Sequence, residues 1–252
     1  MSFKKVLLTL SAVACAAAFT STAMARDLLR VGTEPTFAPF EFLDTKKNEF
    51  TGFDIDLIKA IADKAGYDVE IMNMGFDALI PALTGSTIDV IAAGISITPE
   101  REQRVAFTTP YYTSGLSFLI RAENAEKYPD FASLKNTHIA AQIGTTGAEY
   151  ARHHIEGATV SNFNTTSEAF MDLTSRNCAA VVMDRPVLAY FLKTKPRLAK
   201  NFKLSTEIAE AQSFGFAVRK DNTELLKKLN DAFAELKASG EFDKIHSKWF
   251  AE

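Results

Sequence analysis

The chain has 252 residues, 47% hydrophobic and 23% charged, enough for one large domain or two small ones. That composition excludes disordered, collagen-like and coiled-coil classes. A net charge of −3 and a pI of about 5.9 argue against a nucleic-acid partner, whose phosphates call for a Lys/Arg excess, and two cysteines exclude a multi-disulfide scaffold.

The first residues read as an address rather than as structure. Lys4 and Lys5 form a short positive segment, residues 6–19 are apolar or small and uncharged, and Ala23-Met24-Ala25 fits the small-x-small cleavage rule. The apolar stretch falls short of the roughly 20 residues that a transmembrane helix needs. A secretory signal peptide over residues 1–25 and a mature start at Arg26 are therefore expected. Cleavage before Cys15 would instead give a lipoprotein, but Ala12 stands where such a site carries Leu. Removing residues 1–25 takes away two cations and no acid, so the mature chain is more acidic still. Cys178 then becomes its only cysteine. Lying just before Ala179-Ala180-Val181-Val182, it reads as a small buried hydrophobe rather than a nucleophile.

The mature chain alternates strand and helix. A buried strand is expected over 28–32 and a helix over 53–65, where Ile55, Ile58, Ile61 and Ala62 recur at helical spacing and Gly66 stops it. A strand over 69–72, a short helix over 76–83 and a continuous apolar strand over 88–95 follow. A helix over 99–104 takes Thr98 as N-cap, with Pro99 in its first position. After Tyr111-Tyr112 the pattern restarts with strands over 138–142, 159–163 and 179–183. Helices over 148–154, 167–175 and 185–193 alternate with them. A strand over 214–219, a long amphipathic helix over 223–239 and a short helix ending at Trp249-Phe250 close the chain. The order β-α-β-α-β occurs twice, so two α/β lobes with mixed, mainly parallel sheets are expected.

In open α/β sheets, ligands sit beyond the carboxyl ends of the strands. The first strand is followed by Glu34 to Phe40, the third by Gly94-Ile95-Ser96-Ile97-Thr98 and then Arg101. In the second half Gly144-Thr145-Thr146-Gly147 opens a helix, and Asp184 follows the third strand. These groups suit a zwitterion. Arg101 and the backbone around Ser96 and Thr146 offer donors to a carboxylate. Asp184, the Gly94 carbonyl and the Ser96 hydroxyl offer acceptors to an ammonium. Phe37 and Phe76 offer faces for an aliphatic stem. Each group also has a structural reading: Arg101 as a solvated charge among Glu100, Glu102 and Arg104, Thr145 and Thr146 as N-caps, Asp184 as a cap before Arg185-Pro186, Phe37 and Phe40 as core. Nucleophile-elbow, zinc-protease, Walker A and dinucleotide motifs are absent. His153 and His154 are adjacent and diverge on a helix, and His138 and His246 lack partners at metal-ligand spacing, so neither metal nor cofactor is expected.

The motifs Gly52-Phe53-Asp54-Ile55-Asp56-Leu57, Phe76 to Leu83, Gly94 to Arg101, Pro110-Tyr111-Tyr112, Gly144-Thr145-Thr146 and Lys248-Trp249-Phe250 carry a resemblance over residues 28–250. The chain resembles the periplasmic polar amino-acid-binding proteins of ABC importers, bacterial solute-binding family 3, including glutamine-, histidine- and lysine/arginine/ornithine-binding proteins. The resemblance implies a two-lobed hinged clamp of periplasmic-binding-protein type II. Its first lobe would span residues 26–110 and 215–252, its second lobe 116–209, and its hinges 111–115 and 210–214. It implies a ligand α-carboxylate on Arg101 and Thr146 and an α-amino group on Asp184, Gly94 and Ser96. It further implies stacking on Phe37, a wall at Phe76, and Glu34 facing the ligand side chain. The expected partners are a free polar L-amino acid and a membrane permease, the expected location is the periplasm, and the expected state is a monomer.

Three positions depart from the relatives. Glu34 stands where aspartate is frequent, Gln142 where glutamine binders carry lysine, and Met183 where they carry histidine. Losing a cation while keeping an acid favours a cationic side chain, so arginine, lysine or histidine stands ahead of glutamine. Two alternatives share the fold: a cyclic amino acid dehydratase using Glu34 as general acid or base, and a ligand-sensing module.

Overall fold

A computed structural model describes residues 26–250. The expected signal peptide over 1–25, with Cys15, lies outside the described residues.

The chain opens with β1 (Asp27–Thr33), whose Leu29 and Val31 are buried. Three short strands, β2 (Thr36–Phe37), β3 (Glu41–Asp44) and β4 (Glu49–Thr51), pair antiparallel into a small sheet of their own. Helix α1 (Phe53–Ala65) follows, then β5 (Tyr67–Asn73), α2 (Phe76–Thr84), β6 (Val90–Ile91), α3 (Pro99–Glu102) and β7 (Val105–Phe107). The second half contains β8 (Tyr112–Arg121), β9 (His138–Gln142), α4 (Thr146–His154), β10 (Thr159–Phe163), α5 (Thr166–Thr174) and β11 (Ala180–Asp184). It continues with α6 (Arg185–Thr194), α7 (Pro196–Ala199), β12 (Phe202–Leu204) and β13 (Ala209–Phe214). Strand β14 (Ala217–Arg219) and helices α8 (Thr223–Ala238) and α9 (Glu241–Phe250) end the described chain.

The architecture is α/β, with two larger mixed sheets. The first has the order β5-β1-β6-β14-β7, the second β10-β9-β11-β8-β12 with β13 also on β8. Parallel pairing is confined to the two β-α-β-α-β cores, where the crossover helices impose it. Strands added as the chain crosses or returns, β8, β12, β13 and β14, pair antiparallel, so the sheets are less parallel than expected.

Helix α1 buries Phe53, Ile55, Leu57, Ile58, Ile61 and Ala62. Each large side chain there is worth about 1.5–3 kcal/mol of transfer free energy. Asp56, on its outer side, accepts from Trp249 Nε1 and Lys248 Nζ, both at 2.7 Å, and ties α9 to α1. Gly52 precedes α1 at φ 134°, and a Cβ there would lie 2.1 Å from the Phe40 carbonyl oxygen. No other residue fits that spot. Cys178 is buried, as expected, and burial pushes its thiol up to about 12, which leaves it inert.

The chain passes between the two larger sheets twice, and the two passages pair with each other. Tyr112 faces Phe214, Thr113 faces Ser213, Ser114 faces Gln212 and Gly115 faces Ala211 in an antiparallel ribbon. Phe40, Phe53 and Phe250 pack around Tyr112 and Phe214 at its first-lobe end, with ring centroids 4.8–6.3 Å apart. Among the described residues, no helix is long and apolar enough to cross a membrane.

Candidate functional site

Both cores share one strand order, second-first-third: β5-β1-β6 and β10-β9-β11. Loops leaving neighbouring strands diverge where such an order reverses, which opens a crevice beyond the strand ends. In the first lobe the crevice lies between the ends of β1 and β6, in the second between those of β9 and β11. The two crevices face each other. All eight candidate residues, Glu34, Phe37, Phe76, Gly94, Ser96, Arg101, Thr146 and Asp184, line one narrow cavity there, which is partly open to solvent.

The first lobe supplies the floor and one wall. Glu34 is buried and accepts from the Thr36 hydroxyl at 3.0 and 2.8 Å. Phe37 stacks on Phe40 with centroids 5.8 Å apart. Gly94 holds φ +52°, and a Cβ would lie 2.7 Å from the Phe37 ring, so both backbone and space demand glycine. This turn also shortens the expected strand over 88–95, of which only β6 joins the ladder. Thr98 caps α3 as expected, and α3 carries Arg101 into the cavity. The guanidinium donates to the Ser96 carbonyl at 2.9 Å and to the Gly144 carbonyl of the second lobe at 3.0 Å, with the Phe76 ring 5.4 Å away.

The second lobe closes the other side. Thr145 caps α4 through the Ala148 N–H, and Thr146 follows in the first helical turn, where N–H groups lack intrahelical acceptors. Asp184 ends β11 and accepts the Ser114 hydroxyl at 2.7 Å; it makes no side-chain cap to α6. Gln142, at the end of β9, donates to Glu34 across the lobes at 2.8 Å. Thr166 of α5 meets Thr36 through its N–H at 3.1 Å and also donates its hydroxyl to the Thr36 carbonyl.

Several further residues shape this cavity. Glu41 lines it, is fully buried, and has no hydrogen-bond partner for either carboxyl oxygen. Lying between Phe40 and Phe42 in a short strand, it gives no sequence sign of facing inward. Asp54 sits behind Gly94, accepting its N–H and the Tyr111 hydroxyl. Ser114 and Gln212 reach in from the ribbon, Gln212 accepting the hydroxyls of Ser96 and Thr146.

Charge in the cavity is lopsided. Three carboxyls, Glu34, Glu41 and Asp184, face one guanidinium. Burial raises Glu34, raises Glu41 well above the carboxylate range with Asp54 adding to it, and brings Asp184 up to about 6. Burial also lowers Arg101 to about 10, so it stays a cation at neutral pH. With Glu41 neutral, Glu34 and Asp184 against Arg101 suit a guest with one anionic pole and two cationic ones. Among the described residues, no three His, Cys, Asp or Glu side chains converge as a metal site needs.

The chain is similar to known proteins over nearly all of its described length. The sequence profile of the bacterial extracellular solute-binding proteins, family 3, matches residues 29–252. ABC transporter arginine-binding protein 1 of Escherichia coli (strain K12) is 38% identical over 242 residues, covering 94% of this chain and 96% of that protein. An ancestral arginine-binding protein solved with arginine is 41% identical, with a TM-score of 0.84 over 90% of this chain and 99% of that one. An ancestral amino acid-binding protein, a precursor of cyclohexadienyl dehydratase, is 37% identical, with a TM-score of 0.81 over 88% of this chain and 95% of that one.

Proposed function

This chain belongs to the bacterial extracellular solute-binding proteins of family 3, and on that premise we propose that it captures a free basic L-amino acid between its lobes for delivery to an ABC permease. Arginine is the first candidate and glutamine the runner-up. The observation that carries this reading is the charge of the cavity, where the Glu34 and Asp184 carboxylates face the single Arg101 guanidinium and Glu41 is held neutral by burial.

A basic amino acid answers each group. Its α-carboxylate goes to Arg101 and the backbone N–H groups that open α4. Its α-ammonium goes to Asp184, with Ser96 and the Gly94 carbonyl as neutral acceptors. Its stem lies along Phe37 and Phe76, and its cationic end goes toward Glu34. Gln142 supports this polarity, because it orients Glu34 by a hydrogen bond and leaves its charge uncancelled.

Residues 111–115 and 210–214 serve as the hinges between lobes over 26–110 with 215–252 and over 116–209. Closure follows from differential affinity: Arg101 with Asp184, and Glu34 with Gln142, act on one ligand only when the lobes meet. The protein acts as a monomeric, non-enzymatic carrier in the periplasm after cleavage of residues 1–25.

A thermal-shift screen of the purified protein against the twenty amino acids, ornithine and citrulline tests the reading. A ligand at 100 times its Kd adds about 2.7 kcal/mol of stability. Arginine or lysine is expected to give the largest shift. No shift with any amino acid would overturn the proposal.

A further inference from the structure

Gln212 lies on β13 in the crossing ribbon, opposite Ser114 of β8. Its Oε1 accepts the Ser96 hydroxyl at 2.7 Å and the Thr146 hydroxyl at 2.8 Å. Ser96 follows β6 in the first lobe, and Thr146 opens α4 in the second. One buried amide oxygen on the ribbon therefore holds a hydroxyl from each lobe. Its Nε2 donates to Glu210 Oε2 at 3.3 Å, which turns the amide with its oxygen toward the hydroxyls.

A hydroxyl has one hydrogen to give. Once Ser96 and Thr146 give theirs to Gln212, their oxygens can only accept. That polarity suits an ammonium and leaves the backbone N–H of Thr146, unmatched within α4, for a carboxylate. We propose that Gln212 is a ligand-positioning residue: from the crossing ribbon it orients the Ser96 and Thr146 hydroxyls as acceptors for the ammonium of an amino acid, and holds both only when the lobes are together. This rests on the amino-acid-binding reading and adds a residue to it. Because Gln212 acts on the main-chain end of the ligand, its contribution is the same for every α-amino acid.

Isothermal titration with L-arginine and L-glutamine tests the inference on Gln212→Met, which keeps length but loses the acceptor, and on Gln212→Glu, which keeps an acceptor. Both changes are also made in a Ser96→Ala/Thr146→Val background, with melting curves to confirm folding. Losing two hydrogen bonds is expected to weaken every amino acid that the wild type binds by about tenfold, by the same factor for each. Gln212→Glu should stay within about threefold, and in the background lacking both hydroxyls Gln212→Met should change affinity less than about twofold. Gln212→Ser, too short to reach either hydroxyl, carries the same prediction if the methionine variant does not fold. An unchanged affinity in Gln212→Met, an equal loss in Gln212→Glu, or a loss undiminished without the hydroxyls would overturn the inference. A wild-type protein that binds neither probe would bring down the amino-acid reading and this inference together, a result distinct from wild-type binding with an indifferent Gln212→Met.

Discussion

Asp54 accepts the backbone N–H of Gly94 at 2.8 Å, reaching forty positions along the sequence. The same carboxylate oxygen accepts the Tyr111 hydroxyl just before the first passage between lobes. Asp54 does not line the cavity, yet it fixes one residue that does. Asp54→Ala leaves a buried N–H and a buried hydroxyl unpaired. A loss of about 1–3 kcal/mol in unfolding free energy is expected, read as a lower urea midpoint. An unchanged midpoint would contradict this role.

Burial raises Asp54 and Asp184 from the usual aspartate range to about 6. The native protein then binds protons more readily than the unfolded chain between about pH 4 and pH 6. The two aspartates contribute stability that is full below about pH 4 and is lost as pH rises through 6. Ligand affinity runs the other way, since an ammonium pairs with ionised Asp184. Arginine is expected to bind about tenfold more weakly at pH 5 than at pH 7. Titration calorimetry at both pH values reads the difference, and a flat profile would count against Asp184 as the ammonium partner.

Arg101 and Arg104 share a short stretch of chain but not a setting. Arg101 is half-buried and lines both the inner cavity and the outer groove, whereas Arg104 is exposed and lines the groove alone. Arg101→Ala is expected to cost about 2–5 kcal/mol in amino-acid binding, as for truncating one partner of a buried charge pair. Arg104→Ala should leave the Kd within about twofold, since an exposed charge contributes little. The reverse order of effects would move the carboxylate site elsewhere.

Gln142→Lys puts an ammonium where an amide now donates to Glu34 at 2.8 Å. The new cation pairs with Glu34 and repels a basic side chain. Arginine affinity should fall by at least about tenfold, with glutamine changed by less than about threefold. Equal losses for both ligands would show that Glu34 does not read side-chain charge.

Long periodic elements were legible in the sequence. The stripe of Ile55, Ile58 and Ile61 marks α1, and the strand-end rule brought Glu34, Gly94, Arg101, Thr146 and Asp184 to one cavity. Less was legible where structure depends on distant pairing. Residues 214–219 read as one strand, but the chain leaves the ribbon at Phe214 and joins the first sheet only at Ala217, so Gly215 and Phe216 link the crossing ribbon to that sheet. Strand β13 carries Glu210, Gln212 and Ser213, with no local pattern to mark it; its partner Ser114 lies nearly a hundred residues away. Glu41 sits in a strand of four residues, too short for alternation to tell inside from outside.

A crystal structure of the protein grown with L-arginine tests the central claim most directly. The account predicts one arginine across the cleft, its carboxylate within hydrogen-bond distance of the Arg101 guanidinium and its ammonium on Asp184. Arg101 and Asp184 turned to bulk water, with no amino acid between the lobes, would contradict it.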